Sequence, residues 1–131
     1  MKLHCAILVA VLLCISCVNS VEPNINSERL LGSYIHGDRR SENHLELKSN
    51  GNYIWSHTTH GQQDLEPIIG TWSSNGKIVQ FNPNFNAEGN LEIEKSKAGE
   101  IILVPSVNVN KYRMHKNAMQ NQLDLLAFVR K

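Results

Sequence analysis

Two Asn-Gly dipeptides, Asn50-Gly51 and Asn75-Gly76, constrain this chain more than anything else in it. Both residue types tolerate positive φ, which the two-residue hairpin turn matched to strand twist demands at its central positions. Each dipeptide is flanked by strand-like runs. His44 to Lys48 alternates Leu45 and Leu47 with polar neighbours. Tyr53 to Thr59 puts Tyr53, Trp55 and His57 on one face and Ile54, Ser56 and Thr58 on the other. This is the period of two expected of half-buried strands. Ile68 to Ser73 and Lys77 to Asn82 repeat the pattern around the second turn. If Leu45 and Leu47 face a core, the Tyr53 and Trp55 face does too, because a one-residue slip inverts every side chain.

The same grammar extends along the chain. Leu30 to His36 predicts a first strand, with Gly32 as a bulge or close-packing point. Gly37 to Asn43 is a turn-rich connection, and Gly61 to Pro67 and Pro83 to Asn90 read as loops. Leu91 to Lys95 alternates again, and Ile101 to Val104 is an apolar run closed by Pro105. Tyr112 and Met114 predict a strand over 110–115. The C-terminal segment fits two templates. Leu123, Leu125, Ala127 and Val129 suit a closing strand; Met119, Leu123, Leu126 and Arg130 suit a helix. The strand is favoured because every preceding element is one. The expected fold is all-β, an antiparallel up-and-down meander of eight or nine strands, closed into a small barrel that leaves no exposed edge.

Ahead of this lies a leader. Lys2 and His4 precede the apolar run Ala6 to Val18, the length of a signal-peptide core and short of the roughly 20 residues of a spanning helix. Val18-Asn19-Ser20 suits cleavage before Val21. The expected organisation is a signal peptide over 1–20, a flexible polar tether over 21–29 and one barrel domain over 30–131. The product is periplasmic or secreted. All three cysteines, Cys5, Cys14 and Cys17, fall in the leader, so no disulfide staples the exported chain. That, with the absence of an Asn-x-Ser/Thr sequon, favours a bacterial source. Ile15-Ser16-Cys17 opens an alternative, because it resembles the end of a bacterial lipobox, a partial match in which Cys14 stands where Leu is usual. Cys17 would then carry lipid and the protein would be membrane-anchored.

Without Lys2 the 13 Lys and Arg fall level with the 12 Asp and Glu. Signs are interspersed, so no field draws in nucleic acid or an anionic membrane. The membrane enters only through the lipid anchor.

At the central hairpins the chain resembles a known family. Gly32-x-Tyr34, Leu45-x-Leu47 before Asn50-Gly51-x-Tyr53, and Gly70-Thr71-Trp72 before Asn75-Gly76 are similar to motifs of small bacterial lipocalin-like barrel domains. Among these is the amino-terminal barrel of copper-resistance outer-membrane lipoproteins. The likeness spans Leu30 to Phe81, with strand rhythm alone beyond. It implies an exported up-and-down, lipocalin-like barrel or half-barrel. The lipoproteins carry paired cysteines near the first strand; this chain has none there, so thiol copper handling is not implied.

Candidate chemistry is sparse. His57 and His60 could converge on a metal ion if the chain turns at Gly61, with His36 or His44 as a third ligand. In an extended strand, residues three apart face opposite ways, so solvated loop histidines are the simpler reading. No cysteine nucleophile survives processing, no serine sits in a Gly-flanked elbow, and Asp38, Glu42 and Asp64 read as solvated loop acids. The expectation is a non-enzymatic protein without cofactor, and a monomer. Tyr34, Tyr53, Trp55 and Trp72 are either core or the wall of a site at the barrel mouth, for a small apolar molecule or an envelope protein partner. The alternatives are a periplasmic metal binder and an envelope structural or inhibitor lipoprotein.

Overall fold

Alternation in the sequence becomes strands β1 (Gly32–Asp38), β2 (Ser41–Leu47), β3 (Asn52–Thr59), β4 (Gln62–Gln63), β5 (Ile68–Ser74), β6 (Ile78–Asn82), β7 (Leu91–Lys95), β8 (Ile101–Pro105) and β9 (Val129–Arg130). The structure, a computed structural model, describes residues 25–86, 90–116 and 123–131. The expected leader with Cys17, the expected cleavage point before Val21, and Met119 lie outside the described residues. The strands form one antiparallel sheet in the order β8-β7-β6-β5-β3-β2-β1-β9, with β4 paired to β3 off this path. Leu103 and Phe128 exchange two backbone hydrogen bonds, 3.0 and 2.7 Å, which bring the β9 end of the sheet back to β8. The expected all-β meander closing into a small barrel is what the chain adopts.

Register is as the alternation requires. Tyr34 lies opposite Leu45, Leu45 opposite Trp55, and Leu47 opposite Tyr53, so these side chains share the inner face. The interior is solid. Tyr34, Leu45, Leu47, Tyr53, Leu91 and Leu103 are each no more than 2% exposed, and Trp55, Phe81 and Phe85 pack against them. The Tyr34 hydroxyl donates to Leu30 O at 2.7 Å and the Tyr53 hydroxyl to Pro83 O. Both buried phenols are thus satisfied, and burial pushes both up from the ordinary phenol value.

Three expectations need correction. First, neither Asn-Gly pair makes a two-residue turn with positive φ at both positions. Gly51 (φ 84) and Gly76 (φ 87) are left-handed, whereas Asn50 and Asn75 are not. Each Asn instead uses its side chain. Asn50 Oδ1 accepts from Asn52 N at 3.0 Å, and Asn75 Oδ1 from both Lys77 N and Ile78 N at 2.9 Å. The first loop is three residues, 49–51, closed by Lys48 N donating to Asn52 O at 2.9 Å. The second is shifted by one residue, with Asn75 N donating to Ile78 O at 3.3 Å. In both an Asx contact stands in place of positive φ at the Asn. The two-residue turn with both φ positive falls at His60 (φ 52) and Gly61 (φ 79), between the paired residues Thr59 and Gln62. The segment read as a plain loop after Gly61 therefore begins with a short strand.

Second, residues 110–115 are not a strand. Val109–His115 is a helix, α1. The reason lies in β8, where all five residues are buried. Ile101 and Leu103 face the barrel core, while Ile102 and Val104 face outward against Val109, Tyr112 and Ala127. A strand apolar on both faces needs an outer cover, and α1 supplies it. Tyr112 donates to Lys95 O at 3.0 Å, and Arg113 pairs with Glu94 on β7 at 2.9 Å through Nε. Seven residues make too short a helix to stand alone; tertiary contacts hold it. Third, the C-terminus divides between both templates. Leu123–Leu126 is a helix, α2, and Val129–Arg130 is the closing strand. At the other end of the domain, Ser27–Leu30 forms a 3-10 turn, so the first strand starts at Gly32 rather than Leu30.

Gly70 lies opposite Tyr53, and a Cβ there would stand 2.8 Å from Tyr53 Cε1 and 2.7 Å from Pro83 Cδ. Gly70→Ala is therefore expected to destabilise the barrel by about 1–3 kcal/mol through overpacking. Urea unfolding followed by tryptophan fluorescence measures it, and an unchanged midpoint would refute the close approach.

Candidate functional site

Because the interior is filled, accessible chemistry is confined to the ends and the outer surface of the barrel. At one end Asn26 Oδ1 accepts from Glu28 N at 3.1 Å and starts the 3-10 turn, which drives Leu30 into the core as a cap. Beside this cap runs a groove of ≈ 600 Å³, whose walls include Ser27, Glu28, Leu31, Ser49, Trp72 and Ser74. Trp72 is half-buried, and its indole Nε1 donates to Lys48 O at 3.1 Å. The ring is thereby fixed in orientation as the aromatic wall of a concavity otherwise rich in hydroxyls.

The opposite end gathers the remaining aromatic and imidazole groups. Phe85 stacks on Trp55 (centroids 5.7 Å, planes 18° apart) and meets Phe81 edge-on at 4.7 Å. Trp55 is half-buried in this cluster, while Tyr34 and Tyr53 belong wholly to the packed interior. Of the four aromatic residues read as either core or the wall of a mouth, Tyr34 and Tyr53 are core, Trp72 lines the groove at one end and Trp55 sits in the aromatic layer at the other. The structure does not bring them into one site.

The histidines are likewise dispersed. His36 shares 2.9 Å with Leu125 O and lies 4.8 Å from the Phe128 ring. His44 pairs across from Ser56, touching Thr58 Oγ1 at 3.3 Å and Glu42 at 3.2 Å. His60 is exposed at the β3–β4 turn, its backbone N–H donating to Arg40 O at 3.1 Å. Among the described residues no group of three or more His, Cys, Asp or Glu is placed to hold a metal ion.

His57 is differently placed. Its Nδ1 lies 2.6 Å from Asp64 Oδ1 and its Nε2 lies 2.9 Å from Ser41 Oγ. Thr59 Oγ1 donates to Asp64 Oδ2 at 2.6 Å. The sheet explains the meeting. Ser41 pairs with Thr59, so it lies diagonal to His57 on the same face of β2–β3. The His60-Gly61 turn folds β4 back along β3 and carries Asp64 beside His57, where Asp64 N donates to His57 O at 3.3 Å. In the sequence Asp64 reads as a solvated loop acid, and nothing around Ser41 marks it out. The signal that finds them is the His-Gly pair directly after a strand, since His is among the few residues that tolerate the left-handed region.

Comparisons with protein-family models, with curated proteins and with solved structures found no match. The class that the fold defines is a small antiparallel β-barrel with a filled interior. Among the described residues no helix is long and apolar enough to cross a membrane.

The hydrogen bonds from Thr59 and then His57 hold the Asp64 carboxyl below its ordinary value of 3.8. A lowered carboxyl contributes stability that is present above the unfolded value and lost as pH falls through the folded one. Carboxyl-carbon NMR titration is expected to place Asp64 below 3.8, and Thr59→Val to raise it. An Asp64 titrating at or above 3.8 in the wild type would contradict the hydrogen-bonded arrangement.

Proposed function

We propose that this chain is an exported binding protein whose groove beside Trp72 takes up a small, ring-bearing apolar molecule with polar substituents. The observation that carries the reading is the indole fixed by Lys48 O against a groove of ≈ 600 Å³. That volume lies in the range of small-molecule sites, which combine apolar walls with a few placed polar groups. Leu31 and Trp72 supply the apolar contact; Ser27, Ser49, Ser74 and Glu28 supply hydroxyls and one acceptor. A barrel of about eight strands has room for side chains or at most one small ligand. Here side chains fill the interior, which moves the ligand to the end. The lipocalin-like motifs of the central hairpins and the leader over 1–20 support the exported reading.

Native mass spectrometry of protein purified from its own host is expected to show a bound small molecule, lost or weakened at least tenfold in Trp72→Ala. Consistently empty protein, or an adduct indifferent to that change, would count decisively against the groove. Export leads to a separate expectation. Mature protein begins at Val21 and partitions into the aqueous phase of a detergent extraction. A detergent-phase protein rendered aqueous by Cys17→Ser would instead establish the lipid anchor.

A further inference from the structure

Beyond ligand uptake, the end of the barrel opposite the groove carries a second arrangement that stands independently of it. We propose that Ser41, His57 and Asp64 form a nucleophile, general base and orienting carboxylate, and that Ser41 undergoes acylation by small esters with good leaving groups.

The hydrogen-bond order follows from the donors present. An ionised carboxylate only accepts, so the 2.6 Å contact puts the proton of the neutral imidazole on Nδ1, pointing at Asp64. Nε2 is then the lone-pair nitrogen, and the Ser41 hydroxyl donates to it across 2.9 Å. This is the geometry in which a base activates a serine: nucleophile against one ring nitrogen, orienting carboxylate against the other. Thr59 holds the second carboxylate oxygen at 2.6 Å and so fixes the carboxylate plane. Access is provided. Ser41 is exposed, while the His57 side chain is only 17% exposed, which shields the base and leaves the nucleophile open. Ser41 and His57 come from the paired strands β2 and β3, and Asp64 directly follows β4, where its backbone N–H donates to His57 O at 3.3 Å, so sheet pairing and that bond position all three.

The step balances. Ser41 Oγ bonds to the ester carbonyl carbon as its proton passes to His57 Nε2. The tetrahedral intermediate collapses with cleavage of the bond to the leaving oxygen, which takes that proton and departs as an alcohol or phenol. Water then attacks the acyl-serine with the same proton transfers and releases the acid. The backbone amides of Arg40 and Ser41 both donate to Asp38 Oδ1, at 2.9 and 3.2 Å, so neither is free to stabilise the oxyanion. Loss of one such donor slows related enzymes by about 10²–10³. This restricts the substrate class to activated aryl esters, whose leaving groups need the least help.

The test uses the full exported protein with a fluorophosphonate probe and with p-nitrophenyl acetate. A single covalent adduct on the peptide containing Ser41 is expected, together with slow release of nitrophenol. Ser41→Ala abolishes both. His57→Ala reduces labelling at least tenfold, and added imidazole partly restores it, which a merely structural histidine would not show. Asp64→Asn lowers labelling at least tenfold and Asp64→Glu recovers part of it. Circular dichroism confirms that each variant is folded; because Ser41 is exposed, Ser41→Ala keeps the fold. Absence of any adduct on folded wild-type protein overturns the proposal, as does equal labelling in Ser41→Ala or in Asp64→Asn. Labelling of Ser41 is read whether or not native mass spectrometry finds a molecule in the groove, so an empty groove leaves this result standing and an unlabelled Ser41 leaves the groove standing.

Discussion

Two backbone hydrogen bonds between Leu103 and Phe128 turn a curled sheet into a barrel, and most of the structure depends on that join. A meander of this length leaves two edges with unpaired amides and carbonyls. Here one edge is β8, and the other is met by the short β9, which also pairs with β1 at Tyr34 and Ile35. Phe128 itself is 2% exposed and belongs to the inner core, so the bond that closes the sheet also fills it. Ala127 packs outward against α1. Two consecutive residues thus tie the inner and outer layers to the same strand.

The interior this creates is packed rather than hollow, and that decides where chemistry can occur. Tyr34 and Tyr53 occupy the space a ligand would need, and each hydroxyl is answered by a backbone carbonyl. An unanswered buried hydroxyl would cost on the order of 1–3 kcal/mol, so these bonds allow phenols where alkyl groups would otherwise be required. Among what remains reachable are the groove beside the 3-10 cap at one end and the Ser41, His57 and Asp64 set at the other. Each is held by strand register or by a backbone hydrogen bond.

Much of the architecture was legible from period-two alternation alone. The faces of β2, β3 and β5 follow it directly, because one side of each strand is turned toward the interior. Alternation fails where burial is two-sided. Ile101 to Val104 carries no phase information, and it was the outward pair Ile102 and Val104 that required a helix at Val109–His115. Turn chemistry was legible in kind but not in detail. Asn50 and Asn75 mark hairpins, yet their side chains hydrogen-bond the backbone and remove the need for positive φ. The histidine site was the least legible. Ser41, His57 and Asp64 become neighbours through pairing across strands, and no local motif records such a pairing. The four histidines grouped by spacing are separated by the same pairing, His44 toward Ser56 and His36 toward Phe128.

The closing contact has a kinetic side. The Arg130 side chain reaches the Tyr34 hydroxyl across a sequence separation of 96 residues, whereas the β2–β3 and β5–β6 hairpins join neighbours. Long separations delay contact formation, since the entropy of bringing distant segments together must be met before the contact rewards it. The central hairpins can zip first, with β1 and β8 exposed as free edges until residues 128–130 arrive. The interval before that docking is when two copies of this chain are most able to pair edge to edge.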